Sequence, residues 1–354
     1  LKSEIFILKA YHGDCILIKT FDSSEQPFNI LIDGGPYETF DYHLMDLLDG
    51  IGTIDLLVLT HIDADHIEGL TNFIDSTVFD GIDIKCFWIN CANLLPARMD
   101  GDKIAYKHAI TMEELLIDKN VPKEKFSRKI TDQTDFDIGN GIKIEVLSPP
   151  EGIVDRVSEK WPVLSGEYLE KIQDIKVSGG RESQLKKGGL EDLAATEFKH
   201  AKEIEDDLFN SSSIAFVIWG IDFSFLALAD SRAEIVEQNL KKRKYNDGDN
   251  KLIVDYVKVS HHGSHNNTSN ALLGLIDCGN YIFSTNGGTG RSRHPSRETI
   301  ARILYHPGRD LTKEVNLYFN YPLPEIELSS GKIFTGDEMK KAKANVIDNI
   351  TLIP

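Results

Sequence analysis

Residues 56–69 read LLVLTHIDADHIEG and place two histidines and two aspartates, His61, Asp63, Asp65 and His66, within six positions directly after four apolar residues. In an extended chain, residues two apart point to the same side, so His61 and Asp63 can face one point. The chain then turns, and Asp65 and His66 can face a second point nearby. Imidazole and carboxylate together suit Zn²⁺, Mn²⁺ or Fe²⁺. Two adjacent clusters suit two ions sharing a water.

Three more polar clusters follow apolar runs. The run FLALAD ends in Asp230, although Ser231 to Ile235 reads as a helix start and would equally make this aspartate a helix cap. The run VKVSHHGSH delivers His261, His262 and His265 around Gly263, with Lys258 inside the strand and Ser264 after the glycine. The stretch STNGG carries Ser284 and Asn286 and leads to Arg291, Arg293 and His294-Pro295.

The elements that must position these groups alternate between strands and helices. Strands are expected at 4–9, 15–20, 28–33, 55–60, 85–90, 141–147, 213–219, 222–228, 256–260 and 280–284, with helices at about 39–49 and from 67 onward. Residues 96–130 read as helical and charged. Residues 151–207 hold Gly-rich and charged runs with few strand formers, and are expected to form a helical and loop insertion in a single domain spanning 1–354. Two packed sheets with outer helices is the economical arrangement.

Composition narrows the class. The 354 residues are 41% hydrophobic and 27% charged, as in ordinary globular domains, and no apolar run approaches the roughly 20 residues that span a bilayer. The chain opens on an alternating strand, so no leader is expected, and a cytoplasmic location is inferred. Cys15, Cys86, Cys91 and Cys278 form no CxxC pair and read as buried small hydrophobes in a reducing compartment. A formal net charge of −17 argues against loose coating of nucleic acid but leaves room for a local basic groove. The one dense basic run, Lys241 to Lys244, is explained as well by the end of a helix.

The order HxDxDH, then a lone Asp after an apolar strand, then a strand followed by HHGS, resembles the metallo-β-lactamase superfamily. Within it the chain is similar to the ComEC-type branch: Gly13-Asp14 between the first strands, Asp33-Gly34 after the third, Leu147 to Pro150, and Ser284 with His294-Pro295 all match that pattern. The resemblance runs from about 4 to 305, apart from most of 151–207. It implies an α/β fold, the four-layer αββα sandwich. It also implies that His61 and Asp63 hold metal 1, that Asp65 and His66 hold metal 2, and that Asp230 bridges them. One histidine of the His261-His262 pair completes metal 2, and the other is left for a hydrogen bond to a ligand or substrate. Asp14 and Asp33 are expected to support the site.

Two departures set this chain apart from the wider pattern HxHxDH. Asp63 replaces the second histidine, and the stretch 207–213, where a third histidine is usual, has none; Asn210 is the nearest candidate. Metal 1 is therefore expected to be oxygen-rich, weakly held and better suited to Mn²⁺ than to Zn²⁺. The expected activity is that of a metallo-hydrolase, foremost a phosphodiesterase or nuclease using a metal-bridged hydroxide, with two divalent ions, Mn²⁺ or Zn²⁺, as cofactors. Asp65 would orient the hydroxide. His265 and His294 are candidates to protonate the leaving oxygen, and Lys258, Ser264, Asn286, Arg291 and Arg293 to bind substrate. A short or single-stranded nucleic acid, or a nucleotide, is the favoured substrate. Hydrolysis of an ester, lactone or β-lactam, and a vestigial interaction module, are the alternatives.

Overall fold

The computed structural model describes residues 1–90, 107–127, 129–159, 188–199, 203–289 and 292–354. Arg291, Cys91 and most of the expected insertion lie outside the described residues.

Among the described residues, fifteen strands build two large sheets: β1 (Glu4–Ile7), β2 (Ile16–Phe21), β3 (Pro27–Ile32), β4 (Leu56–Leu59), β5 (Phe87–Ile89), β6 (Phe126–Ser127), β7 (Asp135–Gly139), β8 (Ile142–Ser148), β9 (Ala215–Trp219), β10 (Ser224–Ala227), β11 (Tyr256–Lys258), β12 (Asn280–Phe283), β13 (Val315–Phe319), β14 (Ala344–Ile347) and β15 (Leu352–Ile353). The first sheet runs β15-β1-β2-β3-β4-β5-β6 and the second β14-β13-β12-β11-β10-β9-β8-β7. The helices that bear on the site are α1 (Ala64–Asp75), α2 (Lys107–Asp118), α3 (Leu208–Ser211), α4 (Ala233–Lys242) and α5 (Arg297–Tyr305).

Period-two side-chain alternation explains the layering. On β2, Ile16 and Ile18 enter a core shared with the second sheet, while Leu17 enters a core shared with α1. On β4, Leu56 and Val58 face the second sheet and Leu57 and Leu59 face the helices. On β9 and β10, Phe216, Ile218, Phe225 and Ala227 face the first sheet, whereas Ala215, Val217 and Leu226 pack with α4 and α5. Strands apolar on both faces must be covered on both faces, and three stacked cores result. The architecture is a four-layer αββα sandwich.

The site follows from strand direction. β3, β4 and β5 run parallel, as do β10, β11, β12 and β13. The carboxyl ends of parallel strands open the crevice where α/β proteins place ligands, and Asp33, His61, Asp230, His261 and Ser284 follow such ends. Helix α1 is drawn onto the end of β3 by Gly34 N donating to His66 O and Gly69 N donating to Gly35 O, both at 2.8 Å. A Cβ on Gly69 would lie 1.9 Å from Gly34 O, so only glycine permits this approach.

Two findings differ from the sequence expectation. Helix α1 begins at Ala64 rather than Ile67, so Asp65 and His66 lie in its first turn, where a carboxylate is favoured by the helix dipole. The last 50 residues, which the sequence reading leaves unassigned, supply β13, β14 and β15, the last pairing with β1 across nearly the whole chain.

Candidate metal centre

Asp230 is the hub. Its Oδ2 lies 3.9 Å from His61 Nε2 and 3.7 Å from both His261 Nε2 and His262 Nε2, and its Oδ1 lies 3.5 Å from His66 Nε2. His61 Nε2 is 3.6 Å from Asp63 Oδ2, and His262 Nε2 is 3.5 Å from Asp65 Oδ2. Asp230 does not cap a helix: α4 starts three residues later, after Arg232, without a side-chain cap.

The outer hydrogen bonds fix how each imidazole is presented. Asp33 Oδ2 accepts from His66 Nδ1 at 2.8 Å and from the Thr60 hydroxyl at 2.7 Å. With its hydrogen so committed, the Thr60 oxygen is left to accept from His61 Nδ1 at 3.1 Å. His262 Nδ1 donates to Ser284 O at 3.0 Å. All three rings therefore carry a hydrogen on Nδ1, and their Nε2 atoms point into the cluster with ligating capacity.

His61 Nε2, His66 Nε2, His262 Nε2 and Asp230 Oδ1 are buried without a hydrogen-bond partner among the described residues. Each such atom costs about 1–3 kcal/mol if left unmet. Four of them converging, beside the carboxylates of Asp63 and Asp65, fit divalent cations. The electrostatics agree. Burial alone would lower the His66 and His262 pKa values, but the carboxylates outweigh it: Asp230, Asp33 and Asp65 hold His66 well above its ordinary value, and Asp230 and Asp14 raise His262 to about 9. Conversely, Asp230 is held well below the usual carboxylate range, because His261, His262 and His66 overcome the effect of its burial. The pocket favours positive charge.

Residues 10–82 match the family model of the metallo-β-lactamase superfamily. That span holds Asp14, Asp33 and the whole HxDxDH segment, and the αββα sandwich is the fold of that superfamily. No curated protein matches the chain. Among solved structures, the metallo-β-lactamase fold protein YhfI from Bacillus subtilis is similar over 100% of both chains, at 9% identity and a TM-score of 0.38. A diphosphatase of the PhnP family is similar over 77% of this chain and 71% of its own, at 14% identity and a TM-score of 0.33. A mutant of the CmlA β-hydroxylase is similar at 12% identity and a TM-score of 0.40, covering 100% of this chain. The chain spans about half the length of that hydroxylase, 53%.

The structure brings His61, Asp63, Asp65, His66, Asp230, His261 and His262 together, with Asp14 and Asp33 behind them. The other candidates stand around this group in different ways. Lys258 is 1% exposed, and its ammonium lies on Asp14, so it stands behind His262 rather than facing solvent. His265 Nδ1 is 3.2 Å from Ser296 Oγ. Ser264 is buried and its Oγ accepts from Asn266 N at 3.3 Å. Asn286 Oδ1 accepts from Gly288 N at 3.1 Å, and Arg293 lies opposite Gly288 on a two-residue ladder. Asn210 turns its Nδ2 to Asp207 Oδ1 at 3.0 Å, and its Oδ1 is buried without a partner among the described residues. His294 does reach the cluster, with its ring 5.4 Å from that of His261. Burial, then His261 and His262, push its pKa down to about 3, so it stays neutral at ordinary pH. In the basic run, Lys241, Lys242 and Arg243 face Glu237, Asp132 and Asp135.

His12 was not found from sequence. Its loop is pinned on both sides, by Asn286 N donating to Tyr11 O at 2.7 Å and Asp14 N donating to Asp65 O at 3.2 Å. Burial lowers its pKa, and the neighbouring Asp65 partly offsets that. The available signal was a histidine directly before Gly13-Asp14.

Proposed function

We propose that the chain is a metal-dependent hydrolase acting on phosphodiesters, with short or single-stranded nucleic acid or a nucleotide as substrate. The observation that carries this reading is the convergence of three pre-set Nε2 atoms and one buried Asp230 oxygen, none with a hydrogen-bond partner among the described residues. His61, Asp63 and Asp230 would hold one divalent ion, and Asp65, His66, His262 and Asp230 a second. Bound there, two such ions supply Lewis-acid clamping of phosphoryl oxygens and a water of lowered pKa.

The chain's own groups orient and exclude. Asp33 and Thr60 hold two imidazoles in one tautomer, and the buried Asp14–Lys258 pair backs a third. Asp65, partly exposed beside His262, would accept a hydrogen bond from an attacking water. Three carboxylates among the donors make the set hard, which favours Mn²⁺ or Mg²⁺ and suits phosphoryl oxygen better than an apolar acyl substrate.

The test is hydrolysis of bis-p-nitrophenyl phosphate with Mn²⁺, run beside nitrocefin and a lactone, with Asp65→Asn as control. Mn²⁺-dependent phosphodiester turnover that Asp65→Asn abolishes is expected. Equal turnover by both proteins, or turnover of nitrocefin or the lactone alone, contradicts the proposal. On single-stranded oligonucleotide the rate should fall with added salt.

A further inference from the structure

A second surface adjoins the metal centre and carries tyrosines that enter none of the three cores. Tyr42 is 70% exposed, Tyr37 is 49% exposed and Tyr11 is half-buried. We infer that Tyr11 and Tyr42 form a stacking face for the nucleobases that flank the scissile phosphodiester. The inference rests on the phosphodiesterase reading above and names how its substrate is held.

The backbone at Tyr11 is the first support. Gly13 N donates to Ala10 O at 2.8 Å, closing a turn whose second residue is Tyr11 at φ 55°. A positive φ at that position is ordinarily met by glycine, asparagine or aspartate. Here the conformation is imposed from outside. Tyr11 N donates to Tyr321 Oη at 2.8 Å, and Tyr11 O accepts from Asn286 N at 2.7 Å. Strain that the surroundings enforce gathers at active sites and ligand clamps, and this ring is held at the surface rather than packed into a core.

One face of α1 holds both the centre and the patch. Asp65 stands in its first turn, and Glu68, three residues on, accepts from Tyr37 N at 3.4 Å. Asn72, four residues further, donates to Tyr37 O and to Asp41 Oδ2, each at 3.1 Å. Residues three and four apart share a helix face. In the helical turn Phe40–Leu44, Phe40 and Leu44 are buried, and the Phe40 ring lies 5.6 Å from that of Phe73 on α1, which leaves Tyr42 outward. The His43 ring meets the Tyr11 ring edge-on, at 6.4 Å and 61°. From the other side, Tyr11 stands three residues before Asp14, whose N donates to Asp65 O at 3.2 Å. Asp65 and Glu68 are about 4.5 Å apart along the helix axis, against about 3.4 Å between successive nucleotides of a stacked strand. The patch thus begins about one nucleotide from Asp65.

Its chemistry suits a base rather than a phosphate. Burial, then the neighbouring Glu38 and Tyr42, raise the Tyr11 hydroxyl pKa, so the ring is a neutral phenol with an acid nearby. A carboxylate there repels phosphate but can accept from a base N–H. Lys9 adds a cation at the edge, its Nζ 5.5 Å from the centroid of the Tyr321 ring. With a net charge of −17, the chain draws little affinity from phosphate contacts, and stacking on aromatic rings is the sequence-tolerant alternative.

The test compares two ligands of equal charge: a fluorescent, phosphorothioate-linked single-stranded thymidine octamer, and the same backbone without bases. Affinities are measured by anisotropy with Mn²⁺ present, for full-length wild type, Tyr42→Ala, Tyr42→Phe, Tyr11→Gly and Tyr11→Phe. Wild type should prefer the base-bearing strand by about tenfold or more. That ratio should fall at least about threefold in Tyr42→Ala and in Tyr11→Gly and persist in both phenylalanine variants. Tyr11→Gly should also melt no lower than wild type, because glycine accepts the positive φ; a merely structural tyrosine would show the reverse. Equal affinity of wild type for the two strands overturns the inference, as does an unchanged ratio in folded Tyr42→Ala and Tyr11→Gly. So does a protein that binds neither strand but whose tyrosine fluorescence saturates with tetramethylammonium, since its occupant is then a cation. None of these touches the hydrolase reading if bis-p-nitrophenyl phosphate is still turned over with Mn²⁺. Absence of that turnover sinks the hydrolase reading, and the affinity ratio then decides the stacking face by itself.

Discussion

Asp33 Oδ2 accepts a hydrogen bond from His66 Nδ1 at 2.8 Å, and the Thr60 hydroxyl reaches the same oxygen at 2.7 Å. One buried carboxylate thus orients His66 directly and His61 through Thr60. Asp33→Asn places an amide where a charged acceptor serves three donors, His66 Nδ1 and both the hydroxyl and the main-chain N–H of Thr60. Loss of such an outer partner typically costs 10–100-fold in metal affinity. Competition with a chelator should show that loss in Asp33→Asn, and a smaller one in Thr60→Val, which removes the acceptor of His61 Nδ1 and one donor to Asp33 but leaves His66 bonded to Asp33. Unchanged affinity in Asp33→Asn would mean that the ions do not depend on His66.

Much of this arrangement was legible in the sequence because the ligands follow apolar strands, and strand periodicity is a local signal. The segment 56–69, Asp230 and His261-His262 announce themselves by residue type and spacing. What was not legible depends on pairings distant in sequence. Lys258 reads as a cation near the site, and only the fold brings Asp14, 244 positions away, onto its ammonium. The same holds for β15, two residues long, whose partner is β1. The turn that brings both His261 and His262 to Asp230 depends on a left-handed backbone that two non-glycine residues do not advertise.

Stability of the metal-free protein should depend on pH in a defined direction. His262 is raised to about 9 and His66 is raised as well, in each case because carboxylates outweigh burial. A group whose folded pKa is raised contributes stability that is complete below its unfolded value, near 6.5, and is lost as pH rises through the folded value. Metal-free protein should therefore lose stability between about pH 6.5 and 9. Asp230, Asp65 and Asp14 are all depressed, burial notwithstanding, so their contribution is present above about 4 and disappears in acid. Urea unfolding across pH 2–9 tests both limbs. Bound ions replace the protons, so metal-loaded protein should show a flatter profile over pH 6.5–9, and binding at pH 7 should release protons, seen as buffer-dependent heats in calorimetry.

The Asp14–Lys258 pair is buried on both sides, at 1% exposure each, and joins the first loop to β11. Removing one member of such a pair leaves an uncompensated charge and costs about 3–5 kcal/mol, whereas replacing both is far milder. Lys258→Met alone should be strongly destabilised in urea unfolding, and the Lys258→Met, Asp14→Asn double variant should recover most of the loss. A single Lys258→Met variant as stable as wild type would show that the pair does not matter to the fold. Phosphodiester turnover in the refolded double variant then asks whether Lys258 touches substrate; its burial predicts that KM is unchanged.

Gly13 is where the first loop meets α1. A Cβ at this position would lie 1.9 Å from Asp65 O and 2.8 Å from Asp65 C, both main-chain atoms that no side-chain rotation can move aside. Gly13→Ala must therefore push the first loop away from the first turn of α1, breaking the 3.2 Å bond from Asp14 N to Asp65 O. Overpacking of this kind costs about 1–3 kcal/mol. Its effect on ion binding should fall mainly on the Asp65–His66–His262 side, because Asp65 is the residue displaced. Gly52→Ala is the matched control: nothing lies within 4 Å of its added Cβ, so melting temperature and ion affinity should stay at wild-type values or rise slightly. A Gly13→Ala variant that melts like the control would mean that the loop yields without cost and that its close approach to Asp65 does not set the site.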